Sequence, residues 1–201
     1  MAELIGLLHD IGRFEQLKKY DSFEDKSTVD HAKLGVEILT ANNNKLLTKF
    51  CPDTSYHYTI IKAISNHNKY EIEDGIEGNV LTHCKIIRDA DKIDILNLYR
   101  FEKFETLYKV KKIENEDISK EVYNSVFENR TMKRDEVKTN IDDWIYAICL
   151  VYNIYYKPSM KILEEKDYLN ELIDRVESNK NHEKLLNIRN HINEYMKEIN
   201  R

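Results

Sequence analysis

The chain has 201 residues, enough for one domain with a substantial core. Five Gly and two Pro against 33 % charged residues exclude a many-turned β fold and favour long amphipathic helices. A formal net charge of −5 excludes a general attraction to nucleic acid or an anionic membrane, while a local basic patch can still take phosphate.

The first element, residues 4–15, reads Leu-Ile-Gly-Leu-Leu-His-Asp-Ile-Gly-Arg-Phe-Glu. Ile5, Leu8, His9 and Gly12 fall on one face of a 3.6-residue helix, so His9 points with the apolar stripe and Asp10 sits at its edge. Residues 16–26 are polar and broken and read as a loop over one end of the domain. Ser27-Thr28-Val29-Asp30 has the spacing of a capping box and starts a helix over about 30–41. His31, Gly35, Ile38 and Leu39 form its inward face, and Gly35, which costs about 1 kcal/mol in a helix interior, argues for close approach of another helix.

Residues 42–56 form a polar connection with an Asn cluster around the short apolar piece 46–50. A helix over about 57–70 carries Ile60, Ile64 and His67 on its stripe. Residues 71–79 make a turn, and a long helix follows over about 80–99. Its stripe runs Cys84, Ile87, Asp91, Ile95, Leu98, with Asp89 and Asp94 turned away. Asp91 is the informative interruption, because aspartate is almost never fully buried unless paired. Residues 101–112 are aromatic and basic, and helical intervals recur over 118–128, 142–156, 159–177 and 182–199, with a break at Lys157-Pro158. Tyr146, Tyr152, Tyr155 and Tyr156 read as amphipathic core and rim.

Cys51, Cys84 and Cys149 are odd in number and lack Cys-x-x-Cys spacing, which points to reduced thiols in a cytoplasmic protein. No signal segment stands before the first helix, and the longest apolar run, 145–156, is interrupted by Asn153 and too short to cross a bilayer. The domain organisation expected is a single helical domain over 1–201, with a core of 1–100 and a further helical part, 101–201.

Polar groups on buried faces of four elements therefore stand out: His9 with Asp10, His31, His67 and Asp91. Imidazole and carboxylate without thiolate suit a hard or borderline divalent ion, and helix bundles build such sites from inward-facing side chains. The wording around these residues adds to the pattern. Gly6-Leu-Leu-His9-Asp10-Ile-Gly-Arg13 resembles the paired motif of the HD superfamily of metal-dependent phosphohydrolases. Asp30-His31-Ala-Lys-Leu-Gly35-Val-Glu-Ile-Leu39 is similar to the His-x-x-x-Gly-x-x-Ile-Leu helix of its two-metal branch. Asn66-His67-Asn68 falls where that branch has adjacent histidines, and Arg88-Asp89-Ala90-Asp91-Lys92 is similar to its closing Ala-Asp-[Lys/Arg] segment.

The resemblance implies an all-α bundle of HD-domain type with additional C-terminal helices. It implies one or two divalent ions (Mn, Fe, Ni, Co or Mg) on His9, Asp10, His31, His67 and Asp91, with Asp10 shared. Asp10 and Glu15 are the expected catalytic carboxylates; Arg13, Lys69, Arg88 and Lys92 are the candidates to hold substrate phosphate. The expected activity is hydrolysis of a nucleotide or other small phosphoester. A nuclease acting on nucleic acid, and a regulatory or binding module of the same fold, are the alternatives. Only one His stands at 66–68 and the Gly-Tyr-Pro extension is missing, so cyclic-dinucleotide hydrolysis of the HD-GYP type is not indicated. The family places a further histidine on an upstream helix, whereas eight residues precede His9 here. Either that helix is lacking or another chain supplies it, in a homo-oligomer or from a partner; no membrane partner is expected.

Overall fold

The computed structural model describes residues 1–178 and 180–200, and every element of regular structure among them is helical. The fold is all-α, as expected. The described chain divides into two compact units, Met1–Ala90 and Asp91–Arg201. No helix among the described residues is long and apolar enough to cross a membrane.

The first unit is built from α1 (Ala2–Leu8), α2 (Ile11–Tyr20), α3 (His31–Phe50), α4 (His57–Asn66) and the beginning of α5 (Gly78–Phe101). The single opening helix expected over 4–15 is two helices. The backbone breaks at Asp10, whose φ of −100° and ψ of 14° make it the N-cap of α2. Periodicity runs through a one-residue break unchanged, so sequence spacing does not reveal it. Nor is the segment after residue 15 a loop: α2 continues to Tyr20 and closes on Asp21 in the left-handed region.

Asp30, the N-cap of α3, accepts hydrogen bonds from the backbone N–H groups of Ala32 at 2.9 Å and Lys33 at 3.2 Å. The Asn cluster interrupts α3 as its composition suggests. Asn42, Asn43 and Asn44 adopt φ of 52°, 58° and 61°, a conformation that Asn tolerates better than most residues. α4 ends at Asn66 instead of about residue 70. The buried Asn66 amide donates to Lys62 O at 2.9 Å and accepts from Glu73 N at 3.0 Å, giving the returning chain a partner that more helix would remove.

The core of this unit is Ile5, Leu8, Leu39, Leu47, Ile60, Ala63, Ile64, Cys84 and Ile87. α2 packs on α3, and α4 on both α1 and α3. The close approach expected at Gly35 is real, and the stricter glycine is its partner. A Cβ on Gly12 would lie 2.1 Å from the carbonyl oxygen of His31 and 2.7 Å from Gly35 N.

The buried face of α5 differs from the expected stripe. Cys84 and Ile87 are buried, but the face continues through Arg88, Asp89, Lys92 and Leu96. Leu98 is 49 % exposed, Asp91 and Ile95 are half-buried, and Asp89, expected to turn away, is 2 % exposed. Spacing favoured the apolar residues, whereas long polar side chains with internal partners occupy the inner positions.

The second unit holds the rest of α5 and α6 (Phe104–Tyr108), α7 (Lys120–Phe127), α8 (Asn140–Ile148), α9 (Lys157–Glu165), α10 (Tyr168–Arg175) and α11 (His182–Asn200). Pro158 stands in the first turn of α9, where its missing N–H costs nothing. The helix expected over 159–177 is two, divided at Asp167 with φ of 54°. Fully buried Trp144 centres the apolar core and donates from its indole N–H to Leu172 O at 2.9 Å. Tyr152 donates to Val126 O at 2.9 Å and packs edge-on against Tyr195, in keeping with a core-and-rim role for the tyrosines.

Candidate metal centre

The break between α1 and α2 sets His9 and Asp10 at a joint, where two adjacent side chains reach one point. His31 opens α3 and His67 follows the last residue of α4. The three rings meet: His67 lies edge-on to His9 with centroids 5.0 Å apart and edge-on to His31 at 4.9 Å.

Each ring is fixed through Nδ1. His9 Nδ1 lies 2.7 Å from Gly6 O, His67 Nδ1 2.7 Å from Ile64 O, and His31 Nδ1 2.6 Å from Asp25 Oδ2. Carbonyl and carboxylate oxygens only accept, so all three Nδ1 atoms carry the hydrogen and donate. The three Nε2 atoms are thereby turned toward Asp10, at 3.6 Å from Oδ2 for His9 and at 3.2 Å and 3.7 Å from Oδ1 for His31 and His67. His31 Nε2 and His67 Nε2 are 2.9 Å apart. Two neutral imidazoles with protonated Nδ1 would oppose lone pairs there, so a cation, proton or metal, must reconcile them.

The donor set fits a divalent metal. Nδ1–H groups donating to carbonyl or carboxylate while Nε2 is presented inward is the usual arrangement of metal-ligating histidine. The 2.9 Å nitrogen separation is close to the ~3 Å between ligands at right angles on an ion with bonds of about 2.1 Å. His9, Asp10 and His67 offer ligand atoms all within 4.8 Å of one another, and so do Asp25, Asp30 and His31. The His31 and His67 side chains are 4 % and 1 % exposed, whereas that of Asp10 is 47 % exposed, so solvent reaches the cluster from its carboxylate side.

The electrostatics agree. Burial opposes charge on His31, but its bonds to Asp10 and Asp25 raise its pKa to about 9. Burial likewise disfavours the Asp25 carboxylate, yet hydrogen bonds from His31 and Gln16 and the charges of His31 and Arg13 hold it at about 2. Asp10 is also lowered: its burial is outweighed by the bond to His31 and the charges of His9, His31 and Arg13.

Of the sequence candidates, His9, Asp10, His31 and His67 are thus brought together. Asp91 is half-buried at the start of the second unit. Glu15 is half-buried and pairs with Lys19 at 3.4 Å. Arg13 sits beside the cluster, 3.7 Å from Asp10 Oδ1 through Nε and 2.9 Å from Asp25 Oδ1 through a terminal nitrogen. Lys69 pairs with Glu73 at 2.5 Å. Arg88, a phosphate candidate by sequence, is 2 % exposed and donates to the carbonyls of Asn66 at 2.8 Å, Lys69 at 2.5 Å and Tyr70 at 2.9 Å, clamping the chain after α4. Lys92 is buried, with its ammonium 5.9 Å from the centre of the Tyr155 ring.

Sequence reasoning missed Asp25 and fully buried Gln16, both in the stretch read as loop. Gln16 stands one turn after Gly12, on the face that already held Ile5, Leu8 and His9; extending that face by four residues was the signal available. Asp25 carried none, because its pairing with His31 depends on the path of the 3₁₀ turn Asp25–Ser27.

Residues 1–96 match the family model for the HD domain. No curated protein and no solved structure matches the chain.

Proposed function

We propose, on the premise that residues 1–96 are an HD domain, that the first unit is a metal-dependent phosphohydrolase acting on a nucleotide or another small phosphoester. HD domains are in general metal-dependent hydrolases and typically bind divalent metals. The observation that carries the reading is the convergence of three Nε2 atoms on the Asp10 carboxylate, each ring held by its own Nδ1 bond.

His9, Asp10, His31 and His67 would hold one ion, or two with Asp10 shared. The bound metal would supply Lewis acidity and activate water for attack on phosphorus. The residues of the chain set the conditions. Buried His31 and His67 close the inner side against water, while the exposed edge of Asp10 leaves one approach for a phosphoester. Asp10 faces that approach and would orient the attacking water by accepting a hydrogen bond from it. Arg13, beside it, supplies positive charge for a non-bridging phosphate oxygen.

The test is elemental analysis of purified protein with a phosphoester panel assayed in Mn²⁺, Fe²⁺, Ni²⁺, Co²⁺ and Mg²⁺. The expected result is bound divalent metal, hydrolysis of at least one nucleotide or small phosphoester, and loss of both on Asp10→Ala with helicity retained. Absence of metal affinity, or full activity in Asp10→Ala, would overturn the reading. Cleavage confined to RNA or DNA would move it to a nuclease.

A further inference from the structure

Beside the cluster lies a polar network of which the proposed reaction uses Arg13 alone. Gln16 is fully buried in α2, and its amide nitrogen lies 2.9 Å from Asp25 Oδ1, 2.9 Å from Thr28 Oγ1 and 3.0 Å from Val29 O. Its carbonyl oxygen accepts from Arg13 at 3.0 Å. Arg13 also donates to Asp25 Oδ1 at 2.9 Å and to Phe23 O at 2.6 Å. One carboxylate oxygen of Asp25 is thus held by an amide and a guanidinium, and the other lies 2.6 Å from His31 Nδ1. Asn68, next to His67, donates to Asp30 Oδ1 at 2.9 Å and reaches Asp25 Oδ2 at 3.4 Å.

A fully buried glutamine is expensive unless its polar atoms are engaged, and here they are spent on the loop that carries one acidic side chain. We propose that Asp25, clamped by Gln16 and Arg13, is the positioning residue for His31: it fixes the hydrogen on Nδ1 and the pitch of the ring so that Nε2 faces Asp10. The proposal rests on the metal-centre reading and deepens it. Asp25 touches neither substrate nor the reacting atoms. Gln16 acts one step further out, keeping the Asp25 oxygen in register with the ring. An imidazole whose outer nitrogen is held in this way is a better and better-aimed ligand, and removing such a partner usually costs about 10–100-fold in metal affinity.

Two readouts test the proposal on Asp25→Asn and Gln16→Leu. The first needs no metal. In ¹⁵N-histidine NMR of the metal-free chain, assigned with His31→Gln, the His31 Nδ1 proton should be downfield and slow to exchange in the wild type. It should be lost in Asp25→Asn and exchange faster in Gln16→Leu. The second is affinity for Zn²⁺ or Co²⁺, measured by competition with a chromogenic chelator. Asp25→Asn should bind about 10–100-fold more weakly and Gln16→Leu should show a smaller loss in the same direction.

An unchanged Nδ1 proton together with unchanged affinity in Asp25→Asn would overturn the proposal. Should Asp25→Asn fail to fold, unaltered proton exchange and affinity in Gln16→Leu would overturn it equally. A wild-type chain that binds neither ion sinks the metal-centre reading, and the proton signal then decides by itself whether Asp25 positions His31.

Discussion

One buried polar cluster from each unit makes an instructive contrast. In the second, Asp142 is fully buried and accepts from the backbone N–H groups of Ser119 at 2.9 Å, Lys138 at 3.2 Å and Thr139 at 3.3 Å. Each bond there answers a main-chain donor that folding would otherwise leave unmet, and the surrounding core is apolar around Trp144. In the first unit, His31 and His67 are buried with their Nε2 atoms 2.9 Å apart and both turned to one carboxylate. His67 Nδ1 also serves the backbone by donating to Ile64 O, but the meeting of the two Nε2 atoms is one that a cation would favour. The buried carboxylate of the second unit serves the fold, whereas the facing imidazoles of the first belong to groups that could hold a metal ion.

The comparison can be broken from either side. The largest effect is expected at Asp10→Ala, which should lower hydrolysis by at least roughly 10³-fold, about 4 kcal/mol in barrier, with circular dichroism unchanged. A large loss of fold there would mean that the carboxylate is structural after all. Trp144→Ala should cost about 3–5 kcal/mol in denaturant unfolding, as expected for a large aromatic removed from a packed core. A loss below 1 kcal/mol would contradict the account of the second core.

Gly12→Ala is more informative, because the added methyl meets the His31 carbonyl. We expect about 3 kcal/mol of destabilisation from overpacking, together with weaker metal binding by the folded protein. Unchanged affinity would separate the helix seam from the site. Smallest is Glu73, whose carboxyl is brought to about 2 from 4.5 by hydrogen bonds from Lys62 and Lys69. A lowered folded-state value stabilises above the unfolded one, so the contribution is complete above pH 4.5 and fades as pH falls through about 2. Partly exposed pairs of this kind are worth under ~1 kcal/mol. Glu73→Gln should therefore unfold slightly more easily than wild type at pH 6, and the difference should vanish as pH falls below about 2.

Three of the four converging residues were legible because each pairs a polar type with a helical position that apolar neighbours define, and Asp10 was legible through its pairing with His9 in one motif. His9 follows Ile5 and Leu8; His31 precedes Gly35 and Leu39; His67 follows Ile60 and Ile64. The Asn cluster in α3 and the break at Pro158 were legible from local backbone preference. The rest depended on tertiary facts. Arg88 looks like any surface arginine on spacing alone, yet the carbonyls of residues 66–70 turn inward to meet it. Gln16 and Asp25 are polar residues nine positions apart, and only the path of the intervening loop places them 2.9 Å apart. The split at Asp10 was hidden because one non-helical residue barely changes the phase of a 3.6-residue repeat.

If the donors hold an ion, the close approach of Gly12 to the carbonyl of His31 would make heat tolerance and ion occupancy dependent variables in this unit. α2 and α3 touch there without an intervening side chain, so thermal loosening of the seam must also slacken the donors, and an ion gripping the donors must draw the seam shut. A melting curve recorded against rising cation concentration therefore reads out the dissociation constant. A hundredfold excess of ion over that constant should add about 2.7 kcal/mol to the folded state, as for any ligand taken up by the native chain alone.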